Sequence, residues 1–157
     1  MGMDVYGRKP TSEKGSYFRN NVWWWRPLWD YVCEVAPELI DDDLRERGHF
    51  NDGAGLGGVK SRKLAEVLQN EIDSGSTAIY ASNWQKELDA LPDEPCDICG
   101  ATGKRLPAPQ VGPGNEECNG CKGKGTKRPL ATWYPFSVEN VQEFVDFLRD
   151  SGGFRIE

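Results

Sequence analysis

Four of the five cysteines stand in two C-x2-C pairs, Cys96 with Cys99 and Cys118 with Cys121. Each pair offers two sulfurs from one tight turn, and 18 residues separate the pairs, so that four thiolates can surround one ion. Disulfides are rare in a reducing cytosol. The spacing therefore predicts one structural zinc ion, Zn²⁺, bound by all four cysteines. A redox or iron–sulfur role is the alternative at this point.

Glycines follow each pair, in CDICGATG (residues 96–103) and CNGCKGKG (residues 118–125). Both stretches resemble the C-x-x-C-x-G-x-G repeats in the zinc region of J-domain (DnaJ-type) chaperones. The second fits the repeat throughout, whereas the first carries Ala101 in place of the first repeat glycine. The resemblance implies a zinc hairpin. That family has four repeats and a His-Pro-Asp motif, and this chain has two repeats and no such motif, so chaperone activity is not carried over.

Two further stretches resemble a different family, namely GSYFRNNVWWWRPLWDYVCE and TWYPFSVENVQEFVDFLRDSGGFRI. They are similar to a widespread family of bacterial and phage proteins to which no activity is assigned. This resemblance covers most of the length and implies one integral fold. Its phage members suggest a role as an inhibitor of a host defence factor, which we keep as an alternative.

Apolar residues recur at helical spacing in several segments. They predict helices over about 27–36 with Pro27 first, over 61–73 with Ser61 as a cap, and over 77–91. A short helix is expected in DDDLRERG, and a last helix after Ser137 as N-cap. Residues 1–21 are polar and are expected to form an irregular arm. The predicted fold is mainly α: a small helical body, residues 1–93 and 130–157, with an inserted four-cysteine zinc knuckle, residues 94–129.

The net charge is −6, with 25 acidic against 19 basic residues. A chain of this charge repels phosphate backbones and anionic membranes, which disfavours nucleic acid as the general partner. The first residues lack the apolar core of a secretory signal, and charged residues and a proline interrupt the aromatic run after Asn21. We therefore expect a cytoplasmic protein without a membrane anchor.

Two groups of residues are candidates for partner binding. Consecutive tryptophans at 23, 24 and 25 cannot all point inward, so Trp24 beside Arg26 is one candidate surface, with core packing as the alternative. The zinc segment carries a local excess of basic residues, and Lys122 and Lys124 on the second knuckle are the other candidates. Their alternative role is that of a solvated surface.

The sequence holds no recognisable catalytic constellation. Four cysteines fill a tetrahedral shell and leave no open position on the metal, and His49 is the only histidine. The glycines of GAGLGG, residues 53–58, follow no apolar strand and predict a flexible loop. We therefore expect a non-enzymatic, zinc-stabilised protein that acts through protein–protein contacts. The alternatives are a nucleic-acid-associated zinc module and the phage-type inhibitor.

Overall fold

The structure is a computed structural model and describes residues 2–157. The described chain divides into two compact units, of which the first comprises the residues up to Gln85 together with Tyr134–Glu157. The second unit is Lys86–Trp133. The predicted zinc insertion, residues 94–129, lies inside the second unit.

In chain order the elements are β1 (Gly2–Gly7), β2 (Tyr17–Asn21), α1 (Val22–Val35), α2 (Asp42–Arg47), α3 (Gly58–Asp73), α4 (Ser76–Ala90), β3 (Glu94–Pro95), β4 (Lys104–Arg105), β5 (Glu116–Glu117), β6 (Thr126–Lys127), a 3₁₀ turn (Leu130–Trp133), α5 (Val138–Asp150) and β7 (Phe154–Ile156). The prediction of a mainly α fold is wrong. The described chain is a mixed α/β structure that contains antiparallel sheets.

The sheet of the first unit places β1 between β2 and β7, and both pairings are antiparallel. Val5 lies opposite Phe18 on one side and opposite Ile156 on the other. Met3 and Val5 are buried while the residues between and beside them are more exposed, as expected for a strand with one face on the core. The expectation of an irregular arm over residues 1–21 is therefore wrong for Gly2–Gly7 and Tyr17–Asn21, which form strands β1 and β2, whereas residues 8–16 between them form no helix or strand. Residue 1 lies outside the described residues.

Helix α1 begins at Val22, five residues before the predicted start at Pro27. The side-chain oxygen of Asn21 accepts hydrogen bonds from the N–H groups of Trp23 and Trp24, at 3.0 and 3.1 Å. This N-cap starts the helix, and Pro27 lies inside it. Proline has no N–H to donate to the carbonyl of Trp23, so the helix loses one hydrogen bond close to its start.

The predicted starts of two other helices are confirmed. Asp41 caps α2 through a hydrogen bond from the N–H of Leu44, and Ser137 caps α5 through one from the N–H of Asn140. Helix α3 instead begins at Gly58 and not near Ser61. Ser61 lies within the helix and is fully buried, so its predicted role as a cap is wrong.

The core of the first unit is rich in aromatic side chains. Trp25 stacks on Trp29 with ring centroids 5.6 Å apart, and Phe144 meets Trp25 edge-on. The indole N–H of Trp25 donates to the carbonyl of Gly48 at 2.7 Å, so its one polar atom is satisfied inside the core. Every buried residue of this apolar cluster belongs to the first unit.

The GAGLGG segment runs beside β7 and is not a free loop. The N–H of Gly53 donates to Ile156, and the N–H groups of Ile156 and Phe154 donate to the carbonyls of Ala54 and Leu56. Ala54 and Leu56 are buried. Strand β7 therefore has a hydrogen-bonded neighbour on each side. The same bonds hold in place the segment that precedes α3.

The second unit contains two short antiparallel pairs, β3 with β6 and β4 with β5. Its buried cluster consists of the four cysteines, with Ile98 packed against them. None of the helices in residues 2–157 has the length and apolar character that a membrane-spanning segment needs.

Candidate metal centre

The sulfurs of Cys96, Cys99, Cys118 and Cys121 lie within 4.8 Å of one another, and all four residues are buried. The Sγ atoms of Cys96 and Cys118 are 3.8 Å apart, and so are those of Cys99 and Cys121. A tetrahedral ion with Zn–S bonds of about 2.3 Å separates its sulfurs by about 3.8 Å. The thiols are free and are not joined as disulfides. The prediction that these four residues can bind one metal ion is confirmed.

The two knuckles hold each other through a reciprocal pair of backbone hydrogen bonds. The N–H of Cys96 donates to the carbonyl of Gly125 at 2.9 Å, and the N–H of Cys118 donates to that of Gly103 at 3.0 Å. In each case, the first cysteine of one knuckle is bound to the last glycine of the other. This exchange gives the module an approximate two-fold relation that follows the repeat in the sequence.

Each knuckle closes on itself with the same pattern of bonds. In the first, the N–H of Ala101 donates to Cys96 at 3.0 Å; in the second, the N–H of Gly123 donates to Cys118 at 3.2 Å. The short strands follow the same two-fold relation. Strand β3 before the first knuckle pairs with β6 after the second, and β5 before the second knuckle pairs with β4 after the first. The repeat in the sequence is therefore a repeat in three dimensions.

The last glycine of each repeat is required by two independent features. Gly103 and Gly125 have φ of +76° and +81°, a region that favours glycine. A Cβ on Gly103 would lie 2.3 Å from the carbonyl oxygen of Gly123, and one on Gly125 would lie 2.4 Å from that of Ala101. Both distances are far below contact, so any other residue would separate the knuckles.

Two residues with side chains occupy the same left-handed region. Ala101 has φ of +64°, and Lys122 has φ of +51°. A residue with a Cβ pays about 1–2 kcal/mol there, which glycine avoids. Ala101 occupies a position where the repeat pattern has glycine. Its strained backbone therefore lowers the stability of the first knuckle.

Ionisation of the thiols depends on backbone donors as well as on burial. Burial opposes ionisation of Cys118, but hydrogen bonds from the N–H groups of Cys121 and Gly120, together with those from the thiols of Cys121 and Cys99, outweigh it and lower the pKa of the Cys118 thiol to about 7. Burial, reinforced by the neighbouring thiols, raises the pKa of Cys121 to about 11, although the N–H of Gly125 donates to its sulfur at 3.2 Å. A divalent cation bound by the sulfurs supplies the positive charge that stabilises four adjacent thiolates.

Arg105 is a structural residue that the sequence did not reveal. Its side chain is largely buried, and its guanidinium donates to the carbonyls of Leu106 and Gln110 at 2.9 and 2.8 Å and to Oδ1 of Asn119 at 2.6 Å. These bonds tie the loop between the knuckles to the second knuckle. This role leaves no pattern in the sequence, because the fold alone brings these acceptors near Arg105.

Arg128 also has a structural role, because it binds carbonyl groups at the C-terminal end of helix α4. Its guanidinium donates to the carbonyls of Leu88 and Leu91 at 2.6 and 2.7 Å and to Asp93 at 3.2 Å. Carbonyls at a helix C-terminus lack partners within the helix, and a cation there also interacts favourably with the helix dipole.

The three consecutive tryptophans have different environments. Trp25 is in the core, whereas Trp23 and Trp24 are partly buried. Trp23 packs edge-on against Tyr134, and Trp24 lines a shallow cleft of about 230 Å³ on the first unit. The guanidinium of Arg26 lies 6.0 Å from the centroid of the Tyr134 ring and donates to its hydroxyl at 3.1 Å.

The four candidate partner-binding residues fall into two separate sets. Trp24 and Arg26 belong to the first unit, and Lys122 and Lys124 to the second. Both lysines are exposed on the second knuckle. Within residues 2–157, neither lysine side chain makes an ion pair or a hydrogen bond.

Cys33, the fifth cysteine, is a core residue of the first unit, and burial raises the pKa of its thiol to about 11.

Comparison of the chain with protein-family models, with curated proteins and with solved structures found no match. The likeness to J-domain zinc repeats therefore rests on the two motifs alone, and the geometry of the four sulfurs carries the assignment of a metal site.

Proposed function

We propose that the protein is a non-enzymatic binding protein whose second unit is folded around one structural zinc ion. The proposal depends above all on the four buried sulfurs, which lie within 4.8 Å of one another and include two pairs at the 3.8 Å expected of a tetrahedral site. Thiolates are ligands that zinc favours in structural sites. The four cysteines occupy every position of a tetrahedron, so no position is left for a water or a substrate. The ion then acts on folding, not on chemistry.

The partner in this proposal is another protein. The overall charge of −6 weakens attraction to nucleic acid. Leu130 and Trp133, from the 3₁₀ turn of the second unit, are 59% and 60% exposed, and exposed aromatic side chains are frequent anchors of protein interfaces. A contact surface of this kind needs the knuckles to be ordered, which links zinc binding to partner binding.

Metal content tests the first part of the proposal. The full chain, purified under reducing conditions, should contain one zinc per molecule by elemental analysis, and Cys118→Ser should bind it far more weakly because three thiolates remain. Cys33→Ser is the matched control, since this residue belongs to the core of the first unit. Iron in place of zinc, or equal zinc in the parent and the Cys118 variant, would refute the proposal.

Partner capture tests the second part. Proteins that bind the immobilised parent chain in a reducing extract of its host should be lost when Cys118→Ser is used and kept with Cys33→Ser. The purified partner should then bind the zinc-loaded chain directly. A different outcome would favour a nucleic-acid module: the protein is retained on heparin, its retention falls steeply with salt, and no purified protein binds it directly.

A further inference from the structure

A groove of about 520 Å³ opens on the second unit beside the second knuckle. Its walls include Asp93, Lys122, Lys124, Lys127, Arg128 and Trp133. The volume falls in the range of small ligand sites, and the groove lies entirely within this unit.

The cations of the groove fall into two classes. Lys127 Nζ is 2.6 Å from a carboxylate oxygen of Asp97, and Arg128 is bound to Asp93 and to helix carbonyls. These two cations are already neutralised by the unit itself. Lys122 and Lys124 have no ion pair among the described residues, so the groove presents two ammonium groups that a ligand can pair with.

Trp133 gives the groove an apolar wall. The ring is well exposed, and Leu130, from the same 3₁₀ turn, is exposed to a similar extent. A large ring in a concave site loses little conformational entropy when it is covered, which is why tryptophan is frequent at the centre of interfaces. The groove thus combines an apolar wall with a cationic one.

We propose that this groove binds an extended acidic segment of a protein partner, whose carboxylates pair with Lys122 and Lys124 while an apolar side chain covers Trp133. The proposal rests on the proposed function, and it adds the place and the chemistry of the contact. Charge complementarity carries the choice of ligand, because the two unpaired ammonium groups lie on the knuckle next to the aromatic ring.

A single-stranded nucleic acid fits the same surface less well. Such ligands need a track of cations and several stacking rings along the backbone. Here two unpaired lysines would neutralise two phosphates, and the second unit carries seven carboxylates beside seven cationic side chains. Asp93 lies in the groove wall, and Glu117 lies close to Gly123 of the knuckle. The unit therefore offers no continuous track of cations for a phosphate backbone, whereas two carboxylates of a peptide need only the two unpaired lysines.

The test uses fluorescein-labelled peptides and the zinc-loaded full chain. The first probe is an eight-residue peptide of glutamates around one leucine and one phenylalanine; a second replaces the glutamates by glutamine, and a third replaces the two apolar residues by serine. A labelled oligothymidylate is the fourth probe. Fluorescence anisotropy at low salt should show binding of the first peptide, and the other two peptides should bind about tenfold more weakly.

Matched variants locate the site. Lys122→Asn combined with Lys124→Gln should weaken binding of the first peptide by about fivefold, as expected for two exposed ion pairs. Asparagine is chosen because it tolerates the left-handed backbone at position 122. Lys86→Gln combined with Lys104→Gln removes the same charge from this unit outside the groove and should change the affinity less than twofold. Trp133→Ala should weaken binding by about tenfold, and Trp133→Phe by less.

Three results would overturn the proposal: no binding of the acidic peptide, tighter binding of the oligothymidylate than of the peptide, or equal losses in the two double-lysine variants. Zinc content is measured in every sample. A parent chain that holds one zinc and does not bind the acidic peptide contradicts this proposal alone, whereas absence of zinc from the parent chain contradicts the proposed function as well.

Discussion

At the residue scale, the positions that build the metal centre differ in how far the sequence reveals them. The ligands could be predicted because two cysteines in one turn form a local pattern. The glycines at 103 and 125 belong to the same repeat and could also be predicted. Glycine is needed there because a carbonyl of the opposite knuckle lies close to each, and that contact is not local in the sequence. Arg105 could not be predicted, since its partners are carbonyls brought near by the fold.

Ala101 leads to a prediction about stability. Ala101→Gly removes the cost of a left-handed alanine and should raise the free energy of unfolding of the second unit by about 1 kcal/mol. The gain is reduced by the greater freedom of glycine in the unfolded chain. Thermal unfolding and the chelator concentration at half loss of zinc measure it.

Ala131→Gly is the control for this change. Ala131 lies in the 3₁₀ turn of the same unit and is not among the residues with positive φ, so glycine there should cost about 0.5–1 kcal/mol. If both variants are destabilised alike, the backbone of Ala101 is not strained.

At the scale of elements, helices were easier to predict than strands. Caps at Asp41 and Ser137 act within one turn, and both starts were predicted from the sequence. Strand β1 pairs with β7, near the other end of the chain, and such a partner leaves no local pattern. The alternation of Met3 and Val5 with polar residues was present but short. Helix α1 begins earlier than predicted because Asn21 caps it, and Pro27 lies in the second turn, where it removes one hydrogen bond without ending the helix.

The Asn21 cap predicts a measurable contribution to the first unit. Asn21→Ala removes the acceptor of two N–H groups at the start of α1 and should lower the free energy of unfolding by about 1 kcal/mol. Urea unfolding followed by helical circular dichroism measures this loss. Asn21→Ser keeps an acceptor and should cost only a few tenths of a kcal/mol. Equal losses in the two variants would show that the cap does not stabilise the helix.

At the scale of the whole molecule, the two buried clusters differ in what they are made of. The first unit has a large apolar core, whereas the cluster of the second is four cysteines with Ile98 beside them. Zinc in small modules contributes on the order of 10–16 kcal/mol, which exceeds what so small a cluster supplies by burial. The sequence predicted the cysteine cluster, but not the sheet that completes the core of the first unit.

Chelation should therefore affect the units differently. Removal of zinc should unfold the second unit and open residues 86–133 to protease, while most of the helical circular dichroism remains. Hydrogen exchange should show lost protection confined to that range. Loss of the whole helical signal on chelation would contradict this prediction and show that the first unit also depends on the metal.

The pairing of β1 with β7 also determines the order in which the protein completes itself during synthesis. Chains are made from the N-terminus at about 5–20 residues per second, and domains fold as their parts become available. The second unit is one continuous segment, Lys86–Trp133, whereas the first needs α5 and β7, which are made after it. The ribosome therefore delivers every zinc ligand while β1 still lacks a neighbour on one side, so the segment made later can acquire its metal before the segment made first finishes folding.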